Sequence, residues 1–398
     1  MRGPTQCQPV KLTDEHTLHD TMTIIRQQFP LTAAGYVCQT DDLWRILLAA
    51  AARHSTIESV CADLLGAPDS NTVRGYLTVQ LSPQTIGDLE QRWNDTLALL
   101  APEWLCARAQ EIALDFHDEP YYGRADPDDP NNWVCRGEAR AGTTRFYRCA
   151  TAYVMQRDMR LTLAVVFVKP GDDTVTVLDR LLAYLSAAGI RIKCLYADKG
   201  FCSIPVLRRL LSLGLPALIA TPIRGKQGGT RALCQGRSSY ATTHTFRSDE
   251  HGELTVPVTV ARTYKHQCSG RRSATWCLYV CLGVRAPARR IRKRYRRRFG
   301  VESSYRLMEQ VRARTTSPKA ALRFLLMGLA LLIVNMWIRL HWLFLRIPGR
   351  GPRRVAHGAF RLDRMVRFLT RAIERFYGVV SAVEPPLAGM TAVGLPRP

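Results

Sequence analysis

The spacing of apolar residues predicts helices along the chain up to about residue 100. Residues 41–53 (DDLWRILLAAAAR) give one amphipathic helix, and residues 55–65 begin a second with a capping box at Ser55. A tight turn leads into a short third helix with Arg74 on its exposed side. This arrangement is typical of a helix-turn-helix that binds DNA, but helical packing without any DNA contact fits it equally well.

The pattern changes near residue 110, where apolar residues begin to alternate with polar or small ones. Ile112, Leu114 and Phe116 alternate with Asp115 and His117, which is the period of a strand. Further elements are predicted in the order strand 145–154, strand 161–168, helix 174–188, strand 191–198, helix 204–213 and strand 217–223. This order predicts an α/β fold with a mixed sheet.

A region of different texture follows, with strands over 254–261 and 275–281 joined by polar turns. We interpret residues 224–286 as a β-rich insertion inside the sheet domain. In its second strand, Trp276 shares a face with two apolar residues, which favours a core position over an exposed ring that stacks on a flipped DNA base.

Three parts of the chain are predicted from these patterns. Residues 1–105 form a helical domain with the helix-turn-helix, residues 106–345 form the sheet domain, and residues 346–398 form a basic C-terminal helix with a loose tail.

One segment resembles a membrane span. Residues 324–338 (FLLMGLALLIVNMWI) are apolar apart from Asn335, and Arg323 and Arg339 flank them. About 20 residues are needed to cross a bilayer, so the segment is too short. We predict a fully buried helix of a protein with no membrane contact.

The charge of the chain points to a polyanionic partner. There are 56 Lys+Arg and 33 Asp+Glu, a formal net charge of +23 with a pI near 10.0. Such a surplus favours nucleic acid or an anionic membrane surface. The 12 cysteines contain no CxxC pair, and the N-terminus lacks the apolar core of a signal peptide. We expect a cytoplasmic, nucleoid-associated protein with free thiols.

Against this basic background, three acids lie at or just after the first strand. Asp118 and Glu119 fit a solvated turn at the strand end. Asp115 lies within the apolar strand, and a buried carboxylate is costly without a partner. Another aspartate, Asp198, ends a later strand.

A further acid lies on a strongly basic helix. At 100° per residue, Tyr295, Arg298, Glu302, Arg306 and Glu309 share one helical stripe. A solvated helix with an Arg298–Glu302 pair would explain the stripe alone. However, three carboxylates from separate segments can also hold two divalent cations for phosphodiester displacement, and Mg²⁺ prefers such oxygen ligands.

These motifs resemble those of DDE transposases of the insertion-sequence type. Asp115 lies in ALDFHDEPYYG, Asp198 in LYADKGF, and Glu302 in Y-x2-R-x3-E, and the resemblance extends from about residue 40 to 345. It implies a ribonuclease H-like catalytic domain, dependence on Mg²⁺ or Mn²⁺, and binding to double-stranded DNA at the inverted repeats of a mobile element and at its target. It also implies a dimer in the DNA complex.

The resemblance assigns roles to single residues. Asp115, Asp198 and Glu302 would be the catalytic metal ligands, with Asp118 as an alternative first ligand, and Tyr295 and Arg298 would contact DNA phosphates. The family motif continues to a lysine, but this chain has Glu309 there, so the nearby Arg306 is expected to supply the charge, and Arg74 of the helix-turn-helix is a further DNA contact.

Two alternatives remain at this stage. The same scaffold could serve a nuclease or a resolvase, or the chain could be an inactive DNA-binding relic, since Glu309 departs from the motif.

Overall fold

Five helices form the first part of the chain. The structure, a computed structural model, describes residues 11–156, 159, 161–225, 229–266, 272–347 and 354–383, with the backbone alone at 265, 266, 272, 273, 301 and 302. The helices are α1 (Asp14–Gln28), α2 (Thr40–Ala52), α3 (Ile57–Asp63), α4 (Ser70–Gln80) and α5 (Ile86–Leu100). Helix α3 begins later than the predicted capping box, because the side chain of Thr56 is the N-cap and accepts from the Ser59 amide.

Nine strands form one mixed sheet. They are β1 (Gln110–Pro120), β2 (Cys135–Arg140), β3 (Thr143–Val154), β4 (Thr162–Val168), β5 (Ile192–Ala197), β6 (Ala217–Thr221), β7 (Tyr240–Ser248), β8 (Gly252–His266) and β9 (Arg272–Leu282). Their order is β2-β3-β1-β5-β6-β9-β8-β7, with β4 also paired to β3. Strands β1, β5 and β6 run parallel, and the other pairs are antiparallel. Helices α6 (Thr174–Ala187) and α7 (Ile204–Ser212) connect β4 to β5 and β5 to β6. The predicted mixed α/β fold is confirmed.

The region interpreted as an insertion extends this same sheet. Strand β9 pairs antiparallel with β6, and β8 and β7 continue outward from it. Trp276 on β9 is half-buried and packs against the main core, with the Arg262 guanidinium carbon 5.6 Å from its ring.

The sequence predicts that β1 gives way to a turn at its acidic residues, but the strand continues through them. It stays paired with β3 as far as Pro120. Asp118 accepts from Arg148 at 2.6 Å, and Glu119 is 6% exposed and accepts from Arg323 at 3.0 Å. The prediction of a solvated turn is wrong, because both acids have arginine partners that lie distant in sequence.

A 3-10 turn interrupts the basic helix. Helix α8 (Ala288–Arg296) ends at the turn Arg297–Phe299, and α9 (Gly300–Gln310) follows directly. A 3-10 turn has 3.0 residues per turn where an α-helix has 3.6, so positions after it are rotated relative to those before it. The predicted unbroken helix is therefore wrong, although Tyr295 and Arg298 still share one side, with the Arg298 guanidinium carbon 5.5 Å from the Tyr295 ring.

The apolar segment belongs to a longer helix. Helix α10 (Ala320–Phe344) has 25 residues, because it continues through Arg339 and His341. It is long and apolar enough to cross a membrane, but 94% of its most apolar stretch is buried inside the protein. The prediction that this segment is too short to cross a bilayer is wrong, whereas the prediction of a buried helix is confirmed. Phe324 of α10 stacks on Phe167 of β4 with ring centroids 4.2 Å apart.

Side chains from two helices cover the free edge of β4. The Asn94 amide accepts from the Val165 amide at 2.8 Å and donates to its carbonyl at 2.7 Å. Asn335 of α10 makes the same pair of bonds to Thr162, at 3.1 and 2.7 Å. Glu90 accepts from the Phe167 amide. These polar groups replace a neighbouring strand, so the edge offers no free backbone groups there.

The last described helix returns to the start of the chain. Strands β10 (Arg346–Ile347) and β11 (Arg354–Val355) form a short pair, and α11 (Leu362–Tyr377) follows them. Helix α11 packs against α1 and α2. The three-part division predicted from the sequence stays a prediction.

Candidate active site

Two parallel strands bring two of the predicted acids to one end of the sheet. Asp115 lies on β1, and Asp198 directly follows β5, next to the point where Leu114 pairs with Ala197. Asp115 is 9% exposed, whereas the Asp198 side chain is 35% exposed. The pair therefore has one buried and one accessible carboxylate.

The guanidinium of Arg298 lies between these carboxylates. Its Nη1 is 3.0 Å from Asp115 Oδ2, and its Nη2 is 3.5 Å from Asp198 Oδ1. Only 6% of the arginine side chain is exposed. Burial raises the pKa of Asp115 to about 6; the Arg298 charge lowers it, and the Asp198 charge raises it further. The arginine thus offsets part of the cost of placing two acids together.

Two tyrosines support this cluster from the same helical segment. The Tyr295 hydroxyl donates to the Ala197 carbonyl at 3.1 Å, and its ring lies 5.5 Å from the Arg298 guanidinium carbon. The Tyr305 hydroxyl donates to the Asp115 carbonyl at 3.1 Å. Tyr295 is 5% exposed, so it holds the end of β5 from inside the protein.

The third predicted acid lies in the first turn of α9. The backbone of Glu302 is helical there, four residues after Arg298, but its side chain lies outside what the structure describes. The convergence of the three carboxylates therefore stays a prediction. The contact of Arg298 with Asp115 brings the start of α9 towards β1.

The other predicted residues lie at the surface. Arg306 is exposed on α9, and Glu309, at the position of the family lysine, is 3.8 Å from His117 Nε2. His117 is buried, and burial lowers its pKa to about 4, so it is neutral near pH 7 and forms no ion pair with Glu309.

Arg74 is exposed on α4, where its guanidinium donates to the side chain of Asn71 at 2.8 Å. It lines a groove of about 280 Å³ between α3, α4 and residues 314–319. Arg314 and Lys319 line the same groove.

An open cleft of about 600 Å³ lies over the two aspartates. Besides Arg298 and His117, its basic lining residues are Arg140, Arg148, Lys199 and Arg224. None of Arg140, Arg148, Lys199, Arg224 and Tyr305 was predicted from the sequence as a site residue. Lys199 could have been predicted, because it directly follows Asp198 in the DKGF motif.

Comparison with known proteins identifies the family. The family model of the transposase DDE domain matches residues 132–336, slightly more than half of the chain. The chain belongs to the DDE transposase family. The matched range includes Asp198 and Glu302, and Asp115 precedes it.

A solved structure shares the fold of this transposase. The cryo-EM structure of the piggyBac transposase synaptic complex with hairpin DNA superposes with a TM-score of 0.52 at 12% sequence identity. The alignment covers 90% of this chain and 76% of that chain. The predicted fold class, a mixed α/β sheet with helices, is thereby confirmed, and the fold is similar to that of a DDE transposase. A search of curated proteins gave no significant match.

Membership of the family defines the activity. A DDE transposase is an enzyme that cleaves DNA and transfers strands, so its partner is DNA, and such enzymes use divalent metal ions. The prediction that this chain is a transposase is confirmed.

The donors of this transposase suit a hard divalent cation. Carboxylate oxygens of Asp115 and Asp198 face one cationic group, Arg298, whose buried Nε has no hydrogen-bond partner among the described side chains. Among the described side chains, no group of three His, Cys, Asp or Glu residues is placed to hold a metal ion. Two carboxylates that already share one cation are chemically suited to hold another.

Proposed function

We propose that this transposase binds the terminal inverted repeats of its own mobile element and cuts and transfers DNA at a centre formed by Asp115, Asp198 and Glu302. The observation that carries the proposal is the single buried guanidinium of Arg298, which lies against both aspartates. Because Arg298 lies two residues before α9 begins, this contact supports a position of the helix that bears Glu302 near the aspartates.

The three carboxylates would hold Mg²⁺ or Mn²⁺. When bound, these ions supply Lewis-acid activation of water, and later of a DNA 3′-hydroxyl, for in-line attack on phosphorus. Asp115 contributes a carboxylate kept from solvent, and Asp198 contributes one at the mouth of the cleft. Tyr295 and Tyr305 hold the backbone on which these two acids are mounted.

The basic residues of the cleft would hold the DNA backbone. Lys199 and Arg224 are exposed there, and neither has a carboxylate within ion-pair distance among the described side chains. Arg306 and Arg74 are exposed as well and suit phosphate contacts. Tyr295 and Arg298, which the family resemblance assigns to phosphate contact, are each 5% exposed, and Arg298 can reach a phosphate only after leaving the aspartates.

Two ends of one element have to be cut and joined to a target, so we propose that two copies of the chain act together on DNA. With a net charge of +23, the protein would also associate with the bulk DNA of the nucleoid.

The proposal is tested with a plasmid that carries the DNA ends flanking the gene. The purified full chain with Mg²⁺ or Mn²⁺ should cut at the repeat ends and give strand-transfer products. Asp115→Asn, Asp198→Asn and Glu302→Gln should each lower the cleavage rate by more than the roughly 10- to 100-fold that the loss of an outer-shell partner costs. Cleavage without transfer would instead indicate a nuclease.

Two control variants identify the ligands. Asp118→Asn removes the alternative first acid, which pairs with Arg148, and Asp179→Asn removes a half-buried acid of α6 that pairs with Arg209. Both should keep cleaving. If Asp118→Asn abolishes cleavage and Asp115→Asn does not, the assignment of the first ligand is wrong. If all three centre variants cleave normally, the proposed centre is wrong.

A further inference from the structure

A second carboxylate of β1 lies on the same face as Asp115. Glu111 precedes Asp115 by four residues, and successive side chains of a strand alternate between faces, so both point to the side covered by α8. The Glu111 side chain is 15% exposed. No role of Glu111 was predicted from the sequence.

Side chains of three other residues donate to the Glu111 carboxylate. Its Oε1 accepts from the Tyr196 hydroxyl at 2.8 Å and lies 3.3 Å from Arg294 Nη2, and its Oε2 lies 2.6 Å from Arg297 Nη1. The Arg294 Nε also donates to the Tyr196 hydroxyl at 2.6 Å. The two arginines belong to α8 and to the 3-10 turn that follows it, so one carboxylate binds both elements.

The two neighbouring arginines of the turn contact different positions of β1. Arg297 reaches Glu111, and Arg298 reaches Asp115, positions about 13 Å apart along a strand. Arg297 also donates to the Met155 carbonyl of the segment after β3 at 3.3 Å. The turn is thus fixed at two separate points of the strand that carries the catalytic aspartate, and α9 with Glu302 begins immediately after it.

This segment needs acids to hold it against the sheet. Eight of the eleven residues from 288 to 298 are Arg or Lys, and none is acidic. Like charges at such spacing repel one another. Within the described part of the chain, the ion pairs of this segment run to Glu111, Asp115 and Asp198. Of these, Glu111 alone is outside the proposed metal centre and remains available as an anchor when metal is bound.

We infer that Glu111 is a positioning residue for DNA cleavage. Its carboxylate fixes the 3-10 turn, and through it Arg298 and the first turn of α9, relative to Asp115. The inference rests on the proposed centre. It requires that the loss of Glu111 impairs the geometry of that centre more than it impairs DNA binding or the stability of the fold.

The test compares Glu111→Gln with the parent in single-turnover cleavage. The glutamine keeps the shape of the side chain and loses its charge. We expect cleavage at saturating DNA to slow by about tenfold or more, the size typical of outer-shell partners. The metal concentration for half-maximal cleavage should rise. The Kd for repeat DNA should change less than about twofold, since the described polar partners of the Glu111 side chain, Tyr196, Arg294 and Arg297, do not line the proposed DNA-binding cleft.

Two further variants separate positioning from stability. Arg297→Gln combined with Glu111→Gln should be slower by less than the product of the two single effects, because both variants remove the same Glu111–Arg297 ion pair. Glu90→Gln also breaks a buried acid–arginine pair, with Arg180 at 2.6 Å, but on α5, away from α8. It should lower the melting temperature and leave the metal requirement of cleavage unchanged.

The outcomes are distinct. If Glu111→Gln cleaves at the parental rate with the parental metal requirement, or loses rate only in proportion to stability as Glu90→Gln does, the inference is wrong. The proposed centre would then still stand if Asp115→Asn is inactive, and it would fail if Asp115→Asn is active. If Glu111→Gln does not fold, Tyr196→Phe decides: it removes the hydroxyl that links Glu111 to Arg294, and parental kinetics for it would overturn the inference.

Discussion

Arg298 Nη1 lies 3.0 Å from Asp115 Oδ2, and the two side chains are 6% and 12% exposed. In a site so shielded from water, each charge depends on the other, because neither is solvated. The guanidinium also lies 3.5 Å from Asp198, so one cationic group faces both carboxylates.

Removing Arg298 should make the fold depend on divalent metal. Arg298→Ala leaves two close carboxylates without their cation, and breaking a buried pair typically costs about 3–5 kcal/mol. We expect a lower melting temperature in EDTA and a larger increase on adding Mg²⁺ or Mn²⁺ than in the parent. The measurement is thermal unfolding with and without metal. An equal response of parent and variant would show that the guanidinium does not stand in for a cation.

DNA binding should depend steeply on salt. Contacts between cationic side chains and phosphates release counterions, so log K should fall linearly with log salt. Lys199→Ala should lower that slope by about one, because the lysine is exposed in the cleft beside Asp198. Lys193→Ala is the matched control, since Lys193 is exposed on β5 and does not line the cleft. A flat salt dependence in the parent would contradict the whole interface.

Helix α10 should not tolerate a charge on its buried faces. Leu329 is fully buried, so Leu329→Asp places an unpaired carboxylate in the core, at a cost of several kcal/mol. Leu343 of the same helix is 58% exposed, and Leu343→Asp should change stability by less than about 0.5 kcal/mol. Chemical unfolding measures both. A variant at Leu329 that unfolds like the parent would contradict the packing of α10.

The covered edge of β4 gives a stability prediction. Asn94→Leu leaves the amide and carbonyl of Val165 without partners, and an unpaired buried polar group costs about 1–3 kcal/mol. Gln91→Leu on the exposed side of α5 removes only a bond to Asp95 and is the control. If chemical unfolding gives the two variants equal stability, the bonds of Asn94 to the strand edge add nothing.

Local patterns in the sequence correctly predicted the elements that are determined by residues close together in sequence. The strand period placed Asp115 on β1, and the end of β5 placed Asp198 beside it, because parallel neighbours in a sheet end on the same side. The all-apolar segment correctly predicted a buried helix, although its end was misjudged: His341 is buried, and its side chain is bonded to the Phe360 carbonyl, so polar residues there do not terminate the helix.

Pairings between distant residues could not be predicted in the same way. Glu119 is paired with Arg323, which is 204 residues away, and no local period carries that information. The 3-10 turn after α8 could not be predicted from the helical stripe, because the stripe assumes 3.6 residues per turn throughout. In the fold, this turn carries Arg297 and Arg298, which pair with different acids of β1.

The packing of α11 on α1 and α2 has a consequence for the chain as it is made. Arg375 pairs with Asp14 and Glu15, the Tyr377 hydroxyl donates to Asp42, and the Tyr377 carbonyl accepts from the Gly66 amide. The first helices emerge from the ribosome some 300 residues before the surface that covers them. A nascent chain therefore leaves the surface that α11 covers exposed until α11 is synthesised, and a product truncated before residue 362 never covers that surface.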